Sequence, residues 1–286
     1  MAHLSPARQS NVNDDSICDF EAAINAKTRS SWNSYRQHRQ EITRIILSAS
    51  QKHGQNVLIL GAGNCNDLDL NRLVSKGTDL HLADVDIESS LEGVKRQGLT
   101  SDAIASVKKI EMSGLSTIDS STLASESSFA AALDLDQICT HYVEHFDVVI
   151  CTCVFSQMAG ALRRATQPDW DQSDLLVTLR RRFINEMNRL TAAGGLVIWI
   201  SDLVSTDTCP EIHTTPTEAL PSLLKVCLNS GNFLSGTHPQ RVFEDLAKAT
   251  GSTAVMHRPW IWSMGARKYA VYAISAVSVD QQSSNS

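Results

Sequence analysis

The residues best spaced to do chemistry are two glycines and two carboxylates. Gly61 and Gly63 close a short apolar run, Asn56-Val57-Leu58-Ile59-Leu60, and Asp84 and Asp86 close the next one, Asp79-Leu80-His81-Leu82-Ala83. A glycine pair lets the backbone turn sharply and admits a ligand without a Cβ in the way. An acidic side chain about 20 residues beyond such a turn, at the carboxyl end of the neighbouring strand, is where nucleoside-binding sheets accept hydrogen bonds from ribose hydroxyls. Asp84 fits that role better than Asp86, because it sits where the alternation of Leu80 and Leu82 gives out. Glycines in such a turn also serve packing alone, so the pair by itself does not fix a ligand.

These residues need a strand, a tight turn and a helix to hold them. The apolar run at 56–60 predicts a buried strand, and Leu68, Leu70, Leu73 and Val74 predict a helix directly behind the turn. Its unpaired N–H groups would fall near Asn64 to Asp67. Further strands are predicted at Val107 to Gly114, Asp147 to Cys151 and Leu196 to Ser201, the last after Gly194-Gly195 ends a helix from about Ser173 to Thr191. A helix over Gln240 to Thr250 precedes two antiparallel strands, Thr253 to Met264 and Lys268 to Val277, joined by a turn at Gly265-Ala266-Arg267. Trp260 and Trp262 alternate onto one face and read as core.

Taken in order, Val57-Leu58-Ile59-Leu60-Gly61-Ala62-Gly63, Leu82-Ala83-Asp84-Val85-Asp86, Phe146-Asp147-Val148-Val149-Ile150 and Leu190-Thr191-Ala192-Ala193-Gly194-Gly195-Leu196-Val197-Ile198 resemble the class I S-adenosylmethionine-dependent methyltransferases, over roughly residues 55 to 275. The resemblance implies an α/β fold with a Rossmann-like, seven-stranded, mostly parallel sheet, helices on both faces and a carboxyl-terminal antiparallel hairpin. It implies S-adenosyl-L-methionine as cofactor, with the turn Gly61, Ala62, Gly63 and Asn64 against its amino-acid tail and Asp84, Val85 and Asp86 at the ribose. Glu111 and Met112 match the acid and the backbone N–H that meet adenine; a solvated glutamate is the alternative at position 111. Thr152 and Cys153 would border the methionine part, since the first and fourth strands flank the crevice in this family. Gln157 would face the substrate. The chain departs from the family where many members carry a third glycine: it has Cys65 there, and Asn66 where a dinucleotide fingerprint has its last glycine.

Asp202 stands just past the fifth strand, placed either to contact a substrate amine or hydroxyl or to cap a turn. Trp32, Tyr35, Arg39, Ile42 and Ile46 share one face of an amino-terminal helix. Arg39 is the odd member: it lies at the rim with its head in water, or Tyr35 or Arg39 meets the cofactor carboxylate or the substrate. Arg180, Arg181 and Arg182 cannot share a direction on a helix and read as a solvated face. No catalytic base is evident.

At 286 residues the chain fits one α/β domain with additions. The expected organisation is a disordered tail at 1–18, a helical cap at 19–52, a methyltransferase-like domain at 53–277 with a substrate-cap insertion at 205–240, and a disordered tail at 278–286. Net charge is −6, which disfavours a nucleic-acid partner. No apolar run is long enough to span a membrane and no secretory leader is evident, so a cytoplasmic protein with reduced thiols is expected. The seven cysteines include Cys151-x-Cys153 but no second ligand pair, so no metal is expected. The function these readings favour is in-line methyl transfer to a small-molecule acceptor. The alternatives are a non-catalytic S-adenosylmethionine-binding protein and a nucleotide-dependent enzyme of another class.

Overall fold

A computed structural model describes residues 14–118, 125–133, 137–167 and 170–279. Ten helices are described: α1 (Asp14–Thr28), α2 (Arg36–His53), α3 (Leu70–Ser75), α4 (Ile87–Arg96), α5 (Glu126–Ala132), α6 (Gln137–Thr140), α7 (Phe155–Ala165), α8 (Gln172–Leu190), α9 (Leu220–Asn229) and α10 (Pro239–Thr250). The strands are β1 (Asn56–Leu60), β2 (Asp79–Asp84), β3 (Ser106–Lys109), β4 (Phe146–Thr152), β5 (Thr191–Ser205), β6 (Val255–Met256), β7 (Trp260–Met264) and β8 (Arg267–Val277). They form one sheet in the order β3-β2-β1-β4-β5-β8-β6, with β7 also pairing β8. β1 to β5 pair in parallel, and β8 runs antiparallel to β5.

Both faces of the sheet are covered, which is why its central strands read as unbroken apolar runs. Leu58, Leu60, Val149, Cys151, Val197 and Trp199 enter one core with α7, α8 and α10. Their neighbours Val57, Ile59, Val148, Ile150, Ile198 and Ile200 enter a second core with Ile42, Ile45 and Ile46 of α2. Each such side chain, fully removed from water, contributes about 1.5–3 kcal/mol.

The expected α/β architecture is present, with four local corrections. The sheet has eight strands where seven were expected, because the stretch from Thr253 to Met264 divides into β6 and β7; Pro259 lacks the N–H a continuous strand would need. Gly194-Gly195 does not end a helix. α8 stops at Leu190, and the glycines lie within β5, where the pairing jumps from Phe146↔Thr191 to Val148↔Leu196. The helix behind the glycine turn starts late, at Leu70, with Asp69 as its N-cap accepting from Arg72 N–H at 3.1 Å. Residues 64–67 are therefore irregular loop rather than helix N-terminus. The predicted tails are shorter than expected: α1 already starts at Asp14, and Ser278 exchanges backbone hydrogen bonds with Gly194 and Gly195 at 2.8 and 2.9 Å. Residues 1–13 and 280–286, where the rest of those tails fall, lie outside the described residues.

Arg180 is no solvated arginine. Its side chain is 4% exposed, and its guanidinium donates to Asp245 at 2.7 and 2.8 Å and to Gly236 O at 3.1 Å, joining α8 to α10. Arg181, largely exposed, reaches the other oxygen of Asp245 at 3.0 Å. Among the described residues no helix is long and apolar enough to cross a membrane.

Candidate functional site

The carboxyl ends of β1, β2 and β4 meet around the turn Gly61-Ala62-Gly63. Gly61 has φ +81°, and a Cβ there would lie 2.6 Å from Val154 Cβ, so the start of α7 can press against the turn only if this residue is glycine. Gly61 and Ala62 N–H both donate to Ala83 O, at 2.9 and 3.2 Å, which ties the turn to β2. Thr152, at the tip of β4, donates its hydroxyl to Gly61 O at 2.8 Å and ties the turn on its other side. Cys65, at the position where the sequence resemblance leads one to expect a third glycine, takes φ +53°. This left-handed backbone costs a non-glycine residue about 1–2 kcal/mol. Its thiol is buried, donates to Ser90 O at 3.7 Å, and is held well above the ordinary range by desolvation and by Asp84. It contributes shape to the turn and no reactive sulfur.

Asp84 is 8% exposed and faces the turn: Oδ2 accepts from Gly63 N–H at 2.7 Å and Oδ1 from Asp86 N–H at 2.9 Å. Burial pushes its pKa up to about 6, against those two hydrogen bonds. Asp86 caps α4, accepting from Ser89 N–H at 3.1 Å and from Asn25 Nδ2 at 2.9 Å. Burial pushes Asp86 upward too, but the hydrogen bonds from Ser89 and Asn25 outweigh it and leave the carboxyl below its ordinary value. Each ionised oxygen has a second acceptor direction, so Asp84 retains capacity for donors from a ligand.

From Asp84 and Val85 a cleft runs between the exit of β3 and α7, enclosing about 390 Å³, part of it open to solvent. Ile110, Met112, Val154 and Met158 form apolar walls, and Glu111 and Gln157 supply polar edges. Met112 N–H meets no acceptor among the described residues. Glu111 is not a solvated glutamate. Its Oε1 accepts from Ser113 N–H at 2.6 Å and Ser113 Oγ at 2.5 Å, and its Oε2 from Ser116 N–H at 3.3 Å. A shallow slot with apolar faces, a backbone donor unpaired among the described residues and a fixed carboxylate suits a planar heterocycle bearing an amino group.

Beyond β4 the surroundings change. Cys153 also has φ +53°, and its N–H donates to Ile200 O at 3.0 Å, bringing the tips of β4 and β5 together. Asp202 is 5% exposed and its Oδ1 has no partner among the described residues. Burial pushes its pKa up to about 6, opposed by a hydrogen bond from Ser156. Nearby on the α2 side stand Tyr35 and Trp262, with ring centroids 5.2 Å apart, and Tyr269, 5.2 Å from Trp262. His38 stacks on Trp262 at 4.6 Å and accepts from Trp260 Nε1 at 2.9 Å, which leaves the neutral ring with its proton on Nε2, 3.9 Å from Asp67.

Tyr35 and Arg39 do not stand free at the mouth. Tyr35 is 4% exposed, and desolvation holds its hydroxyl above the ordinary range. Arg39 does not keep its head in water: it donates to Trp32 O and Asn66 O, both at 2.9 Å, and lies 3.4 Å over the Trp32 ring. It braces the loop after the glycines. Asn64 is likewise engaged, its Nδ2 donating to Asn25 O at 2.8 Å and Thr28 Oγ1 at 3.1 Å.

The sequence left several bracing residues unmarked. Asn25 reaches Asp86 from α1, while Arg96 and Gln97 at the end of α4 bind backbone oxygens of Asn64, Cys65 and Leu68. Ser90 donates to Gly63 O at 2.8 Å. No local pattern identifies them, because each acts across more than 25 positions of chain.

No family model and no curated protein sequence matches the chain. Among solved structures the fold is similar to the N-methyltransferase NodS from Bradyrhizobium japonicum WM9, at 15% identity over 86% of this chain and 97% of that one, with a TM-score of 0.46. It is also similar to magnesium protoporphyrin IX methyltransferase from Synechocystis PCC 6803, at 9% identity over 94% and 86% of the two chains, TM-score 0.43. An O-methyltransferase family protein from Burkholderia thailandensis overlaps 95% of this chain and 65% of its own, at 13% identity and TM-score 0.47.

Proposed function

We propose that the chain is an S-adenosylmethionine-dependent methyltransferase acting on a small-molecule acceptor. The observation that carries this reading is a convergence: the Gly61-Ala62-Gly63 turn, the buried Asp84 carboxylate and the Met112 cleft open onto one crevice at the carboxyl ends of adjacent strands. The residues fit the cofactor in kind. The cleft beside Glu111 and Met112 takes adenine, Asp84 with Val85 and Asp86 takes the ribose hydroxyls, and the turn from Gly61 to Asn64 lies along the amino-acid tail. Thr152 and Cys153 border the sulfur end.

The bound cofactor would supply an activated methyl group, so the protein needs mainly to orient the reactants in line and exclude water. In this reading the acceptor lies past β4, where Asp202 stands, while Gln157, on the wall of the cleft given to adenine, meets the cofactor side of the crevice rather than the acceptor. A buried carboxyl titrating near 6 is ionised at neutral pH and can take a hydrogen bond, and then a proton, from an amine or hydroxyl.

A calorimetric panel of S-adenosylmethionine, S-adenosylhomocysteine, NAD and NADP tests the reading. Binding of the two sulfur compounds alone is expected, followed by release of S-adenosylhomocysteine over an acceptor panel. Binding without turnover supports the non-catalytic alternative, and stabilisation by NAD alone discards the proposal.

A further inference from the structure

After β5 the chain makes a 3₁₀ turn at Pro210–His213 and then α9, and one side of this segment is apolar: Ile212, Leu220, Leu224, Cys209 and Cys227 are all buried in the α8-side core. Within it Cys227 Sγ lies 3.6 Å from Cys209 Sγ, and both residues are 3% exposed. The hydrogen bonds run in one direction: the Cys227 thiol donates to Cys209 sulfur, and the Cys209 thiol donates to Glu211 Oε2 at 3.3 Å.

The backbones on either side are already joined. Asn232 Nδ2 donates to Thr208 O at 2.8 Å, Asn232 N–H donates to Cys227 O at 2.8 Å, and Leu234 N–H donates to Leu203 O at 2.7 Å. Closing the sulfurs to a bonded separation of about 2.05 Å therefore asks for side-chain rotation and a small approach, not for two elements to find each other. Two other buried thiols are arranged differently. Cys65 donates to Ser90 O and Cys151 to Ile200 O, each to a backbone carbonyl rather than to a second sulfur.

We propose that Cys209 and Cys227 are a dithiol pair that closes to an intramolecular disulfide by exchange with a low-molecular-weight disulfide, fixing α9 to the end of β5. In the first step one cysteine sulfur, having lost its proton, attacks the external disulfide and forms a mixed disulfide, releasing one small thiol. The second cysteine sulfur then attacks the protein-side sulfur and releases the other. The two cysteines are oxidised, and the external disulfide is reduced to two thiols. The pair acts as a slow latch rather than a fast sensor: burial, together with Cys227 and Glu211, pushes the Cys209 thiol up to about 12. Its closure requires no methyl transfer, so it stands or falls separately from the activity proposed above.

The experiment uses the full chain with oxidised glutathione, followed by acid quench, alkylation and tryptic mapping without reductant. The expected product is a cross-link between the peptide ending at Lys225 and the one from Val226 to Arg241, which carry Cys209 and Cys227 respectively. Two thiols are lost, reductant restores them, and the rate rises from about pH 7 to about pH 9 as thiolate forms. The oxidised protein melts higher by on the order of 5 °C, because a loop spanning 18 positions is closed in the unfolded chain. In Cys227→Ser the glutathione adduct on Cys209 persists, since no second sulfur resolves it. The proposal is overturned if the native protein accumulates stable adducts on both cysteines, if both stay reduced at alkaline pH, or if the cross-link forms only after unfolding.

Discussion

The carboxyl edge of the sheet has two unlike halves. Over β1 and β2, polar groups are paired with one another: Asp84 with Gly63 and Asp86 N–H, Asp86 with Asn25 and Ser89, Asn64 with Asn25 and Thr28, and Gln97 with Leu68 and Cys65 carbonyls. Toward β5 and β7, Asp202 Oδ1, His38 Nε2 and Trp262 Nε1 are buried without a hydrogen-bond partner among the described residues. An unpaired buried polar group costs about 1–3 kcal/mol. The first half is therefore a preorganised frame whose shape does not wait for a ligand. The second holds desolvated groups whose cost a bound acceptor would offset, and buried groups of that kind cluster where chemistry is done.

The largest break in the first half comes from removing its central carboxylate. Asp84→Ala is expected to weaken S-adenosylhomocysteine about 100-fold by calorimetry, and Asp86→Ala, which mainly caps α4, about tenfold. The reverse ranking would give the sugar to Asp86. Because hydroxyl donors need the ionised form, and burial sets Asp84 near 6, affinity should be full above that pH and fall roughly tenfold per unit below it.

A change of opposite sign probes the second half. Asp202 titrates near 6 in the fold against 3.8 in the unfolded chain, so the proton favours the folded state. Its contribution is present below pH 3.8 and lost as pH rises through about 6. Asp202→Asn keeps the shape without the charge, and in denaturant titrations it should gain up to ~3 kcal/mol over the wild type as pH rises, while losing turnover. A pH-independent difference would mean that the carboxyl is hydrated, and the contrast between the halves would disappear.

The smallest effect is expected at their border. Arg39→Lys loses a planar guanidinium that stacks on Trp32 and whose Nη1 serves two carbonyls. A stability loss of about 1–2 kcal/mol is expected, with cofactor affinity within about threefold of wild type. A collapse of affinity at unchanged stability would return Arg39 to the cofactor.

The frame was more legible in the sequence than the chamber beyond it. Gly61, Gly63 and Asp84 announce themselves because a sharp turn and a strand end are local events with local residue preferences. Arg180 escapes a local reading because a run of three arginines shows the helix but not Asp245, 65 positions away, that pairs with one of them in the interior. Gly194-Gly195 reads locally as a helix stop, but it lies inside β5 where the register with β4 shifts and where Ser278, just past β8, bonds both glycines.

By itself the sequence determined the alternation of buried strands and amphipathic helices, the glycine turn and the acid one strand over. Those follow from backbone freedom and from apolar side chains leaving water, which act at short range. Only the tertiary structure decided that the Arg39 and Asn64 side chains brace the loop, that Cys65 adopts a left-handed, glycine-like backbone, and that Asp202 lies buried with one oxygen unmatched among the described residues. Those outcomes depend on which distant groups arrive at hydrogen-bonding distance and on how much water is shut out, and neither is written in any single stretch of chain.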